Sequence, residues 1–225
     1  MAATPVWAGV AMLMPLAEQY EIGRFVYRPP ATDGWRAVGQ APDELHLVYA
    51  EMLDQSDIAM RVDVVIHAFD VEDPSVVPDP PILARLSHQQ QAAKRKGSLV
   101  ALSNVEPVPG AENMYAFTLV SRGPKGDYFE RFYVALAPDR TQYVVAKVTT
   151  DDPAYEQAPY WAPLVESMAG LKYRAPGGSG GAGQGTGEAA GEESPAKAPA
   201  GGAGKPAEQG SVARDGGASG ETPEQ

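Results

Sequence analysis

Apolar and polar positions alternate through most of the chain ahead of residue 151. The clearest stretch is 58–69, where Ile58, Met60, Val62, Val64, Ile66 and Ala68 form an unbroken period-two apolar set opposed by Arg61, Asp63 and His67. Successive strand side chains point to opposite faces, so this pattern predicts a long half-buried strand. Leu45, Leu47 and Tyr49 predict another, with His46 and Val48 on its second face. Residues 20–27 alternate more loosely and stop at Pro29-Pro30, which cannot continue a ladder; they predict the first strand. Asp33-Gly34 is a turn dipeptide, and Trp35 opens the next element with a large ring.

Prolines at 74, 78, 80 and 81 then impose a loop. Residues 82–96 predict a helix with apolar positions at Ile82, Leu83, Leu86 and Ala93, and with Asp79 as its cap ahead of first-turn prolines. Strands are predicted at 113–121, 128–137 and 141–150. Their connections, Gly123-Pro124-Lys125-Gly126 and Pro138-Asp139-Arg140, are short enough to make them antiparallel neighbours. A weaker strand at 99–105, closed by Pro107 and Pro109-Gly110, leads into this meander. Asp151-Asp152-Pro153 opens the last ordered element. Trp161, Leu164, Val165, Met168 and Leu171 follow at spacings of three and four, the pattern of an amphipathic helix laid on a sheet. Pro159 and Pro163 divide this region into a short helical turn, a break and a helix from about Tyr160, and Gly170 is expected in the left-handed conformation at its end.

Composition divides the chain. Residues 175–225 contain 15 Gly, 11 Ala and 5 Pro, with Val212 the only large aliphatic residue. Such a segment cannot bury enough apolar surface to offset its ordering entropy, so a disordered tail is expected there. Residues 20–174 then form one α+β domain, preceded by an apolar arm over 1–19. The arm's apolar stretch at 6–16 lacks a positive n-region and is broken by Pro15. It is too short to span a bilayer and reads as a segment packing on the domain, the alternative being a remnant signal h-region. As written the chain reads as cytoplasmic, with the cell envelope open if the true start lies upstream.

The net charge of −11 is shared by both portions, since the tail holds seven acids and three bases. A chain so charged is repelled by phosphate backbones, and nucleic acid is not an expected partner. Its one basic run, Lys94-Arg95-Lys96, sits ahead of Gly97 at the predicted helix end, where cations oppose the dipole. There is no cysteine, which removes thiolate nucleophiles, thiolate metal sites and acyl anchors.

His46, His67 and His88 show no helical zinc spacing. Asp63 and His67 share one face of the long strand but stand about 13 Å apart along it, so acid/base or metal chemistry there requires residues from neighbouring strands. No nucleophile elbow, P-loop or dinucleotide fingerprint is present, and no cofactor is expected. The acids at 57, 70, 73 and 79 lack the EF-hand pattern. Aromatics offer more. Tyr115, Phe117, Phe129, Tyr133 and Tyr143 occupy odd positions of three successive strands and are expected on one face, with Tyr155, Tyr160 and Trp161 in the segment covering a face. Two readings stay open: a packed sheet-to-helix core, or a hydrophobic groove for an apolar ligand or partner segment.

The order of elements, with Gly34-Trp35 before two strands, a helix, a run of hairpins carrying Arg131-Phe132-Tyr133, and a helix bearing Trp161, Leu164 and Ser167 after paired acids, resembles the PsbP-like superfamily. That superfamily includes the photosystem II extrinsic protein PsbP, Ran-binding Mog proteins and bacterial DcrB-type proteins. The resemblance spans roughly 20–173. It implies an antiparallel sheet of about six strands between helices, an α/β/α sandwich. It also implies a non-catalytic binder: an accessory subunit, an envelope protein or a chaperone of secretion-system effectors. The expectation is therefore a protein that engages a protein partner or apolar segment through its sheet face or edge, with Tyr115, Phe117, Tyr133, Tyr143 and Trp161 as partner-binding candidates. The rival is a metal-dependent hydrolase or small-ligand enzyme using His67 and Asp63.

Overall fold

The computed structural model describes residues 13–52 and 58–176. All but the first two residues of the tail expected over 175–225, and most of the arm expected over 1–19, lie outside the described residues. Eleven strands and two helices follow in order: β1 (Tyr20–Ile22), β2 (Phe25–Tyr27), β3 (Trp35–Ala41), β4 (Glu44–Met52), β5 (Ile58–Asp70), α1 (Pro80–Lys94), β6 (Leu99–Leu102), β7 (Glu106–Pro107), β8 (Met114–Gly123), β9 (Gly126–Leu136), β10 (Gln142–Thr150), a 3₁₀ turn (Tyr155–Gln157), α2 (Trp161–Ala169) and β11 (Lys172–Tyr173).

The large sheet is wholly antiparallel and has eight strands, ordered β3-β4-β5-β10-β9-β8-β6 with β7 also on β8. It is wider than the six strands expected because residues 35–41 and the two-residue β7 both join it. Residues 20–27 form a hairpin rather than one strand. Gly23 takes a φ of 58° between β1 and β2, and a Cβ there would meet Gln142 Oε1 at 2.8 Å. That same Gln142 oxygen accepts the Arg24 N–H at 2.8 Å, and its amide donates to Asp70, so one buried side chain fastens the hairpin to β10 and β5. β11 completes a separate three-stranded sheet with β2.

The main core lies on one face of the large sheet. Leu45 and Leu47 of β4, Val62, Val64 and Ile66 of β5, and Val144, Ala146 and Val148 of β10 meet Trp161, Leu164 and Met168 of α2 and the rings of the small sheet. Leu45 and Leu47, and Val62, Val64, Ile66 and Ala68 of the longer period-two set, point into this layer as the sequence pattern requires. Asp152 Oδ1 accepts the Ala154 N–H at 2.8 Å, the 3₁₀ turn forms, and α2 starts one residue after Tyr160. Gly170, however, ends α2 with φ −79°, an ordinary right-handed value, so the expected left-handed cap is not used.

The opposite face carries α1, packed over β8 and β9. Pro80 and Pro81 occupy its first turn. Asp79 does not cap it through its side chain; that carboxylate pairs with Arg140 instead. Of the four expected apolar positions only Leu83 packs on the sheet cluster, and Ala93 is exposed. Ile82 and Leu86 are exposed, whereas the stripe Ala84, His88, Ala92 and Arg95, spaced by three and four, lies on it. This stripe is small and polar because Phe117 and Phe132, stacked at 5.1 Å, supply the bulk from below.

Candidate functional site

The first structural fact about this face is that α1 covers only part of it. Beneath the helix, Phe117 of β8 and Phe132 of β9 are buried. One strand further on, Tyr143, Val145, Lys147 and Thr149 of β10 are half-buried, and Asp63, Val65 and His67 of β5 likewise. Phe69 is 37% exposed. The face therefore opens from β10 across β5 to β4.

Cross-strand register fixes its rows. Tyr143 stands opposite Phe69, Val145 opposite His67, Lys147 opposite Val65 and Thr149 opposite Asp63, with directly opposed side chains close enough to touch. At one end, the Phe69 ring stacks on Tyr143 at 4.9 Å with planes 16° apart, and the His67 ring leans on Phe69 at 4.3 Å. Burial raises the Tyr143 phenol above its usual pKa, keeping it a neutral, largely apolar platform at physiological pH. At the other end, the Arg95 guanidinium of α1 closes on Glu130 of β9.

Two imidazole–carboxylate pairs sit between. His46 of β4 bonds to Asp63 of β5, and His67 lies 3.2 Å from Glu44 and 3.6 Å from Asp43. Asp63 and His67 thus do not converge. Each is held by a different partner across the β4–β5 seam. Among the described residues no three His, Asp, Glu or Cys groups come together as metal ligands. The arrangement is a mixed floor in which Tyr143, Val145, Val65 and Phe69 supply apolar and aromatic surface while Lys147, Thr149 and the two imidazole–carboxylate pairs supply polarity.

The expectation that Tyr115, Phe117, Phe129, Tyr133 and Tyr143 share a face is corrected by the register. Phe117 pairs with Phe132 and Tyr143 with Leu136, so odd positions on β8 and β10 lie with even positions on β9. Tyr115, Phe117 and Tyr143 are on the α1 side, Tyr115 packing beside the helix. Phe129 and Tyr133 are on the core side. Tyr133 is fully buried there, with the Arg131 guanidinium 5.4 Å from its ring centre and Nε donating to its hydroxyl at 3.1 Å. Trp161, 8% exposed, packs edge-on to Tyr155 at 4.5 Å and forms part of a shallow apolar cleft of about 650 Å³ with Pro109, Val165 and Ala169. Phe69, Val145 and Lys147 were not singled out by the sequence. Phe69 was readable, since it shares parity with His67 at the end of the clearest strand.

No protein-family model matches the chain, and no curated protein matches its sequence. Among solved structures it is similar to a protein of Bacteroides thetaiotaomicron VPI-5482, at 10% identity over 71% of this chain and with a TM-score of 0.42; it spans 49% of that protein, about half its length. It is similar to the Saccharomyces cerevisiae Ran-binding protein Mog1p at 10% identity, covering 69% of this chain and 94% of Mog1p with a TM-score of 0.46. A point variant of Mog1 gives 9% identity, a TM-score of 0.45 and the same coverage. With identities near 10% and TM-scores under 0.5, nothing about partner or activity passes from those proteins to this chain.

Proposed function

We propose that this domain is a non-catalytic binding module that receives an apolar segment of a protein partner on the open half of its large sheet. The observation that carries the reading is the Phe69–Tyr143 stack, a pair of rings held rigidly by neighbouring strands yet left half-covered where α1 ends its reach. Rigid aromatic side chains give large contact area for little ordering entropy, which is why they anchor interfaces. Of the five aromatics singled out from the sequence, Tyr143 and Tyr115 supply contact surface, Phe117 and Tyr133 support the sheet from within, and Trp161 belongs to the separate α2 cleft. His67 and Asp63 serve as rim polarity, paired to β4, in place of the acid/base or metal role of the rival reading.

Site-specific photocrosslinking in cells tests this. A photoreactive phenylalanine at position 69 or 143 is expected to capture a discrete protein adduct, abolished by a Val145→Asp substitution beside it. A control probe at Lys125, in the β8–β9 turn, is expected to capture nothing. Equal yields at all three positions would sink the proposal.

A further inference from the structure

Among the described residues the fold half-buries four arginines: Arg61, Arg95, Arg131 and Arg140. Three of them grip a carboxylate, Arg61 that of Glu51, Arg95 that of Glu130 and Arg140 that of Asp79. Arg131 of β9 faces no carboxylate among the described residues, although the protein as a whole is acidic. Neutral groups hold its guanidinium instead. Nε donates to the Tyr133 hydroxyl at 3.1 Å and Nη1 to Thr118 Oγ1 at 3.4 Å, while the Tyr133 and Trp161 ring centres lie 5.4 and 6.0 Å from Cζ. Among the described residues Nη2 therefore keeps both of its hydrogens undonated and Nη1 keeps one. Rings and hydroxyls fix the fork in place, yet they do not neutralise it, and a partly desolvated cation without an anion is unfavourable.

The surroundings offer donors and apolar surface. Burial raises the Tyr155 phenol above its ordinary pKa, with Glu156 acting in the same direction and the Arg131 charge and Thr118 hydroxyl against it, so guanidinium and hydroxyl both stand beside that ring. The Glu156 carboxylate accepts from the Tyr155 hydroxyl at 3.2 Å and forms no pair with Arg131. Arg122, on the same face of β8 as Thr118, is tied to Asp127. Arg131 thus brings a single unmatched positive charge. That matches a carboxylate, whose two oxygens fit a planar fork, whereas a phosphate dianion calls for a second cation. Trp161 links the fork to apolar space, since the ring beside the guanidinium also lines the cleft of about 650 Å³ with Pro109, Val165 and Ala169. A volume of that order holds a small molecule. Thr118, Val120, Phe129 and Arg131 are only half-buried, which keeps this part of β8 and β9 within reach of solvent.

We propose that Arg131 receives the carboxylate of a small organic acid whose apolar body lies against Trp161 in the α2 cleft. The two terminal guanidinium nitrogens meet the two carboxylate oxygens, and the hydroxyls of Thr118 and Tyr133 hold the fork for them. This site lies on the opposite face of the large sheet from the Phe69–Tyr143 stack and does not depend on it.

Titration of the full chain with 4-phenylbutyrate tests the proposal, beside 4-phenylbutyramide, which keeps the shape and drops the charge. The acid is expected to saturate with a Kd of about 1 mM and to move the Arg131 Nε–H resonance of arginine-labelled protein, and the amide to bind about ten-fold more weakly. Arg131→Gln is expected to weaken the acid by about ten-fold or more and to leave the amide unchanged. Arg122→Gln removes a cation from the same face and is expected to alter neither. The resonance is read on the wild-type protein, so the test survives if Arg131→Gln fails to fold. No saturation by the acid, equal affinity for acid and amide, an unmoved Arg131 resonance, or equal losses from Arg131→Gln and Arg122→Gln would each overturn the proposal.

Discussion

Arg95 at the end of α1 grips Glu130 on β9 with two guanidinium nitrogens, and both side chains are largely out of water, at 15% and 5% exposure. The Arg95 side chain also bonds the Gln91 carbonyl at 3.0 Å and lies over the Phe132 ring at 5.5 Å. A buried pair of this kind adds little against an apolar replacement, but removing one partner strands the other charge. Glu130→Ala is expected to cost about 3–5 kcal/mol in urea unfolding, whereas Arg95→Leu with Glu130→Met is expected to recover most of that loss. Equal costs for the single and double variants would show that the pair is not desolvated as described.

Gly34 precedes Trp35 with a φ of 97°, and a Cβ placed on it would meet the Tyr49 ring at 2.6 Å. Tyr49 cannot yield freely, because it lies between Trp35 at 5.4 Å and Tyr160 at 4.8 Å. Backbone strain and steric displacement therefore act together. Gly34→Ala is expected to lower stability by about 1–3 kcal/mol. In a domain of this size that is a fall in Tm of about 3–10 °C, measurable by differential scanning calorimetry.

The parts of the fold governed by local chemistry were legible in the sequence. Val62, Val64, Ile66 and Ala68 of β5 face the core as their alternation requires, and the proline pattern after Asp152 gives the 3₁₀ turn and α2. Parity was the error at the site. Pro124-Lys125 is a two-residue connection that sets Gly123 opposite Gly126, so odd positions on β8 must share a face with even positions on β9. Counting across the turn would have separated Tyr133 from Phe117 without a structure. The pairing of His46 with Asp63 and the meeting of β5 with β10 were not available that way, since they join segments that no short turn connects and depend on the global strand order. The exposure of Ile82 and Leu86 was also hidden, because it follows from how much bulk the sheet itself supplies under α1.

Phe117 and Tyr143 lie on the same face yet differ in cover, and this separates packing from contact surface. Phe117→Ala removes a fully buried ring stacked on Phe132 and is expected to cost about 3–5 kcal/mol. Tyr143→Ala removes a half-covered ring and is expected to cost about 1–2 kcal/mol while abolishing the crosslink captured at position 69. Chemical denaturation of the two variants side by side checks the ranking. A Tyr143→Ala penalty as large as that of Phe117→Ala would assign this ring to the core.

Tyr160 is one of several buried phenols whose ionisation opposes the fold at alkaline pH. Burial pushes its phenol up to about 12, with the nearby Asp152 carboxylate, which accepts its hydroxyl at 3.2 Å, acting in the same direction and the Thr150 side chain opposing it. Burial also raises Tyr27 and Tyr133. A phenol whose pKa is higher folded than unfolded holds its proton more tightly in the native state. The stability it contributes is thus complete below the ordinary phenol value near 10 and is lost as pH rises from there through the folded value. Unfolding free energy is therefore expected to be flat with respect to these groups up to about pH 10 and to fall steeply between about 10 and 12. Tyr160→Phe removes one titrating group from that window. Its stability is expected to lie modestly below wild type at pH 8, for want of the bond to Asp152, and to decline less steeply above pH 10. Parallel curves for the two proteins across that range would show that Tyr160 ionises as freely in the native state as in the unfolded chain.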